Sequence, residues 1–197
     1  SQTNVEYRDG HLMVVREDVL MAIPFTPDME RVLEGGTPLV EDIVSISGAA
    51  VGVFMPSDTG RIVFQTGSGS GQRRQLFWTP NDGGNHEQLG TPGELFNPSI
   101  SPDGSLAMVQ VHGESNEGID LWLVDLQTGL RTRFTFAPGN ETAAVWSPDG
   151  RTLYYSAESD EKFLIMEQPV EGQGGAAIIL EAERLIVPWD VSPDGKT

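Results

Sequence analysis

The four residues Ser-Pro-Asp-Gly stand at 101–104, 147–150 and 192–195, separated by 46 and then 45 residues. A weaker copy, Ser57-Asp58-Thr59-Gly60, lies 44 residues before the first. Self-similarity at this period marks a stack of similar supersecondary units, none of which buries its apolar face alone. Only Lys196 and Thr197 follow the last copy, so the sequence stops as another unit opens.

The unit is clearest between Phe96 and Phe136. Phe96 to Ile100 reads as a short entering strand, Ser101 to Gly104 as a tight turn and Ser105 to Val111 as a second strand. After a polar loop from His112 to Gly118, Ile119 to Leu126 gives a third strand. Gln127-Thr128-Gly129 turns the chain into a fourth, Arg131 to Phe136. Proline fixes φ at the second turn position, aspartate accepts backbone N–H groups, and glycine takes a positive φ at little cost. Asp103, Asp149 and Asp194 are therefore read as turn residues, not as catalytic or ligand groups.

The next unit repeats the plan with Ala143 to Trp146, Arg151 to Ala157, Lys162 to Met166 and Ala176 to Leu180. The preceding one has Ala50 to Phe54, Arg61 to Thr66, Arg74 to Trp78 and Glu87 to Leu89. The first unit shows His11 to Val15 and Val19 to Phe25, a polar return near Leu33, and no recognisable first strand. Ile186 to Val191 opens a fifth. The divisions are 1–44, 45–91, 92–137 and 138–183, with a stub at 184–197. Inner strands such as Leu106-Ala-Met-Val109 are apolar at consecutive positions, which implies cover on both faces. Helical periodicity is weak, with one short turn expected at Glu181 to Arg184. Short strands, even spacing and a Gly/Pro turn in each repeat predict an all-β fold. It is a β-propeller of four-stranded antiparallel blades, about four blades plus the start of a fifth, and thus a partial propeller. The rival reading is a sandwich or barrel.

Charge narrows the function classes. Twenty-nine acidic residues against twelve basic give a net charge of −17, which repels phosphate backbones and anionic lipid surfaces. Nucleic acid and membrane contact by this segment are not expected. No run of 18 apolar residues is present. Cysteine is absent, which removes disulfides, thiolate metal sites and a cysteine nucleophile.

With these motifs in hand, the chain resembles the WD40-like, TolB-type β-propellers. The resemblance rests on Asn97 to Gly104 with Ile119 to Leu126, and on Val145 to Gly150 with Leu153 to Ser156. A narrower likeness joins Gly10 to Val15, Leu20 to Phe25, Arg73 to Trp78 and Phe134 to Phe136. These segments look like the extracytoplasmic propeller region behind some bacterial serine/threonine kinases. That resemblance implies a sensing or interaction domain in a periplasmic or extracellular location, with ATP chemistry elsewhere. No Gly-rich phosphate loop, His-Arg-Asp or Asp-Phe-Gly occurs here. Similar blades precede the catalytic domain of prolyl-oligopeptidase-type peptidases, whose Gly-x-Ser-x-Gly elbow is missing. Gly67-Ser68-Gly69-Ser70-Gly71 has glycine at its centre, so Ser68 and Ser70 read as loop residues.

Few residues suggest chemistry. His11, His86 and His112 are scattered without zinc spacing. The loops Glu114 to Gly118 with Asp120, and Glu158 to Glu161, collect oxygen donors that calcium accepts, yet lack the spacing of a calcium loop. Weak calcium binding is the one cofactor they suggest. Asp120 and Asp125 flank an apolar strand and are expected to accept bonds from neighbouring turns. Trp78, Trp122, Trp146 and Trp189 recur near strands and are expected to pack between blades. No catalytic, cofactor-binding or metal residue is assigned. The expected function is a non-enzymatic module binding a protein or small ligand, with a homo-oligomer completing the blade stack. The alternatives are the propeller portion of a peptidase, or a hydrolase or lyase with its site at the propeller mouth.

Overall fold

A computed structural model describes residues 5–8, 10–26, 35–43, 45–46, 51–52, 54–57, 59–66, 74–80, 84–113, 118–159, 162–171, 174–192 and 194. Among the described residues every regular element is a strand. The chain forms two compact units, Ser1–Gly93 and Glu94–Thr197.

In the first unit β1 (Val5–Arg8), β2 (His11–Arg16), β3 (Val19–Pro24) and β4 (Thr37–Val40) make an antiparallel sheet in chain order. A small hairpin, β5 (Ser45–Ile46) with β6 (Val51–Gly52), follows. The second sheet contains β7 (Phe54–Pro56), β8 (Arg61–Thr66), β9 (Arg74–Pro80) and β10 (Glu87–Gly93), again in chain order. Met13, Val15, Leu20 and Leu39 of the first sheet share one core with Phe54, Ile62 and Phe64 of the second. Burying such side chains stabilises by roughly 1.5–3 kcal/mol each and fixes the stacking of sheet on sheet. The entering strand that the sequence did not reveal is β1, whose Val-Glu-Tyr-Arg alternation is followed only by Asp-Gly and not by the full Ser-Pro-Asp-Gly phrase. The fourth strand is Thr37–Val40; the return near Leu33 lies outside the described residues.

The second unit holds β11 (Leu95–Ile100), β12 (Leu106–His112), β13 (Gly118–Asp125) and β14 (Arg131–Arg133), then β15 (Gly139–Trp146), β16 (Thr152–Ser159), β17 (Lys162–Pro169) and β18 (Ala177–Ala182). Each set of four runs antiparallel in chain order. The two sets join where β13 meets β15 in parallel, through Gly118↔Gly139 and Ile119↔Asn140. This junction needs its glycines. A Cβ on Gly118 would lie 1.9 Å from the Gly139 carbonyl oxygen, and one on Gly139 would lie 2.5 Å from that of Glu158. Met108, Leu121 and Phe134 of the first set pack with Trp146, Leu153, Tyr155 and Leu164 of the second. Ala107, Met108 and Val109 are all buried, as consecutive apolar residues covered on both faces require.

Two expectations are corrected. Glu181 and Ala182 continue β18 and form no helical turn, because β17 pairs with them (Leu164↔Glu181, Phe163↔Ala182). The fourth strand of the best repeat ends at Arg133, because Phe134 and Thr135 turn inward to bond the backbone of Leu121.

The two entering strands also share a feature that the sequence hides. Between Phe96↔Gln110 and Ser99↔Met108, two residues of β11 face one of β12; between Thr142↔Ser156 and Val145↔Tyr154, β15 does the same. Asn97 (φ 44°) and Ala143 (φ 52°) hold equivalent places in these bulges, four residues before the turn serine.

Candidate functional site

The repeated turn is satisfied internally. The Ser101 hydroxyl donates to Asp103 Oδ1 at 2.6 Å and accepts from the Leu106 amide at 3.0 Å. The second copy gives 2.6 Å for Ser147 to Asp149 and 2.9 Å from the Thr152 amide. The backbone amides of Ser105 and Arg151 donate to the same aspartates, at 3.0 Å each. These bonds, the serine hydroxyl first, hold both carboxyls below the usual carboxylate range. Ser192 reaches Asp194 at 2.8 Å. In the first unit the Ser57 and Thr59 hydroxyls take the place of that pair, 3.0 Å apart; Asp58 lies outside the described residues. Such carboxylates organise strand entry. Asp125 works alike, accepting from the amides of Gln127 and Thr128 at the next turn.

Asp120 has a different task. It is buried and accepts from Arg133 Nη2 at 2.8 Å, tying β13 to the end of β14. Arg133 Nε donates to the Thr135 carbonyl at 2.9 Å, and the Thr135 hydroxyl accepts from the Leu121 amide at 2.9 Å. Beside this network stands Glu141 on β15, 1% exposed, neither of whose carboxylate oxygens has a hydrogen-bond partner among the described residues. Burial raises its pKa, with Asp120 adding to the effect. Thr135, short of hydrogen-bond geometry, and Arg133 pull the other way, but burial prevails. Burial, with a contribution from Glu141, pushes Tyr155 up to about 12, and its hydroxyl donates to Gln168 Oε1 at 2.8 Å.

The sequence did not single out Glu141, although the repeat contains the signal. Six residues before each turn serine stand Leu95, Glu141 and Ile186, so a charge occupies an aliphatic position. Gln65, Gln110 and Ser156 likewise share one buried polar position on the second strand. The Ser156 hydroxyl bonds the Ile186 carbonyl, at 2.5 Å, which docks the segment after β18 against β16. Gln110 Oε1 accepts from Asn97 Nδ2 at 3.2 Å, while its own Nε2 has no partner among the described residues.

The histidines are not brought together. His11 begins β2, His86 sets its ring edge against Phe64 at 5.3 Å, and His112 ends β12 with its ring against Phe96 at 4.9 Å. Among the described residues no three His, Cys, Asp or Glu side chains are placed to hold a metal. Most of the acidic loops, 114–117 and 160–161, and both Ser68 and Ser70 lie outside the described residues.

The tryptophans divide. Trp146 packs in the core and donates from Nε1 to the Ser99 carbonyl at 3.0 Å. Trp78 is half-buried, with the Arg61 guanidinium 4.9 Å from its ring centre. Trp122 is half-buried in β13. Trp189 departs from the expected packing role, standing 86% exposed. Nearby in sequence, Leu185 is exposed, and so are Ile178, Ile179 and Leu180 of β18. Among the described residues Val5, Tyr7, Leu130 and Phe136 are exposed as well, and Trp189 is the most exposed of these large apolar side chains.

Four-stranded antiparallel meanders packed through apolar faces, two of them entered by the same Ser-Pro-Asp-Gly turn, define a partial β-propeller. No family profile matches the chain, and no curated protein matches it. Solved structures do. TolB from Acinetobacter baumannii superposes with a TM-score of 0.63 at 14% identity, over 86% of this chain and 40% of that one. Oligogalacturonate lyase from Vibrio parahaemolyticus gives 0.66 at 15% identity, over 94% and 54%. A prolyl endopeptidase gives 0.65 at 14%, over 91% and 29%. The chain spans about half or less of each of these proteins, and the similarity is one of fold.

Proposed function

We propose that the chain is a propeller segment that binds a protein or ligand without transforming it, as the sensing part of a larger bacterial envelope protein. The observation that carries the reading is the exposure of Trp189, at 86%, with Leu185 exposed four residues before it, since aromatic side chains are the anchors that binding surfaces use. The likeness of Gly10 to Val15 and Arg73 to Trp78 to propellers behind membrane-bound kinases supports a periplasmic or extracellular location. The strongly acidic charge argues against nucleic acid and anionic lipid as partners. Among the described residues no helix is long and apolar enough to cross a membrane.

The lyase and endopeptidase neighbours keep two alternatives in view: a site on the propeller itself, or the propeller portion of a peptidase. The Asp120, Arg133 and Glu141 group is the nearest thing here to catalytic machinery. The burial of Glu141, 1% exposed, and the pairing of Asp120 with Arg133 speak against its reaching a substrate.

The test is photo-cross-linking in the native host, with a photoreactive residue at position 189 and, as control, at exposed Leu130. A discrete partner captured from 189 but not from 130, and lost on Leu185→Asp, is expected. Equal labelling from both positions, or none from 189, overturns the reading.

A further inference from the structure

We infer that β18 is a self-association edge, at which a second copy of this chain adds its own β18 antiparallel and extends the sheet across a two-fold axis. The inference is independent of what Leu185 and Trp189 bind.

Among the described residues β18 ends its sheet and pairs with β17 alone, so its outer row of backbone N–H and C=O groups faces outward. Proteins normally blunt such edges with charge, proline or brevity. The other outer strands do so. Pro38 sits in β4 and Pro92 in β10, while β14 is three residues long and reads Arg-Thr-Arg. In contrast, β18 reads Ala-Ile-Ile-Leu-Glu-Ala and is exposed along most of its length. Ile178, Ile179 and Leu180 are 52%, 45% and 55% exposed. A bulge against β17, in which Ile179 is the extra residue, bends the strand but places neither charge nor proline on it.

The sequence of the edge is complementary to itself. In antiparallel pairing centred on Ile179, Ile178 of one copy faces Leu180 of the other, and Ala177 faces Glu181. No like charges meet, and every large apolar residue meets another. The one carboxylate involved, Glu181, is already paired with Lys162 Nζ at 2.8 Å on its own chain. A two-fold contact of this kind closes on itself as a dimer and does not propagate into a filament.

The absence of cysteine makes a direct test available, since any disulfide in a single-cysteine variant must be intermolecular. Opposed residues of an antiparallel pair bring their Cβ atoms within about 5.5 Å, near disulfide reach. Ile179→Cys is expected to form a covalent dimer under mild oxidation, and Thr132→Cys, at the exposed centre of β14, is not. Sedimentation equilibrium across the micromolar range should show a dimer for the unaltered chain and a folded monomer for Ile179→Lys. A monomer at every concentration overturns the inference. So does a dimer that survives Ile179→Lys, which would place the contact elsewhere, or equal cross-linking from both cysteines.

Discussion

Ala143 and Asn97 show how one backbone requirement meets two side chains. Both sit at positive φ in the bulge of an entering strand, where an L-residue with a plain Cβ is disfavoured by about 1–2 kcal/mol and asparagine by less. Ala143→Asn is therefore expected to stabilise the chain by about 0.5–1 kcal/mol, seen as a rise in melting temperature. A fall would mean that the bulge is not the source of the strain. Glu141 poses the opposite problem, a carboxylate where the repeat places Leu95 and Ile186. Its folded pKa lies above the unfolded one, so the folded state holds the proton more tightly. The stability this gives is complete below the unfolded pKa and lost as pH rises through the folded value. Glu141→Gln should flatten denaturant-unfolding stability over that acidic window. Glu141→Leu should add about 1–4 kcal/mol at neutral pH. Neither substitution should alter partner capture at position 189.

Turn chemistry decides how each element begins. The Ser101 hydroxyl serves as donor to Asp103 and acceptor for Leu106, so Ser101→Ala leaves a half-buried amide without this partner and should cost about 0.5–1.5 kcal/mol in chemical denaturation. The paired aspartates have depressed pKa values, so their contribution is present above the unfolded pKa and is lost as pH falls through the folded one. Acid unfolding of Asp103→Asn with Asp149→Asn should accordingly be less steep than that of the parent. At the sheet junction, Gly118→Ala drives a methyl into the Gly139 carbonyl and should destabilise by about 3 kcal/mol or more. The strands around these turns were legible because proline, aspartate and glycine advertise them and apolar runs lie between. β1 was not, because a four-residue strand of alternating Val-Glu-Tyr-Arg before an Asp-Gly turn resembles any solvated segment. The bulges were illegible for a deeper reason: pairing two residues against one is decided by the partner strand, and Asn97 and Ala143 share no side-chain chemistry.

Across the molecule, the period of about 45 residues carried the fold, since stacking similar meanders is the way each unit covers its apolar face. The candidate site was far less readable. Trp146 and Trp189 look alike in the sequence, yet one packs in the core and the other stands in solvent, because sequence position does not say which face has a neighbour. Glu141 could be found only by aligning the repeats and asking which position breaks pattern. The solved propellers of similar fold include a lyase and a prolyl endopeptidase, so the claim that this chain binds without transforming is where the account is most exposed. Its most direct test is a turnover assay of the purified chain against oligogalacturonate and prolyl peptides, run in parallel with Glu141→Gln. The account predicts no product above the uncatalysed background with either protein. Turnover by the parent chain that Glu141→Gln abolishes would contradict it.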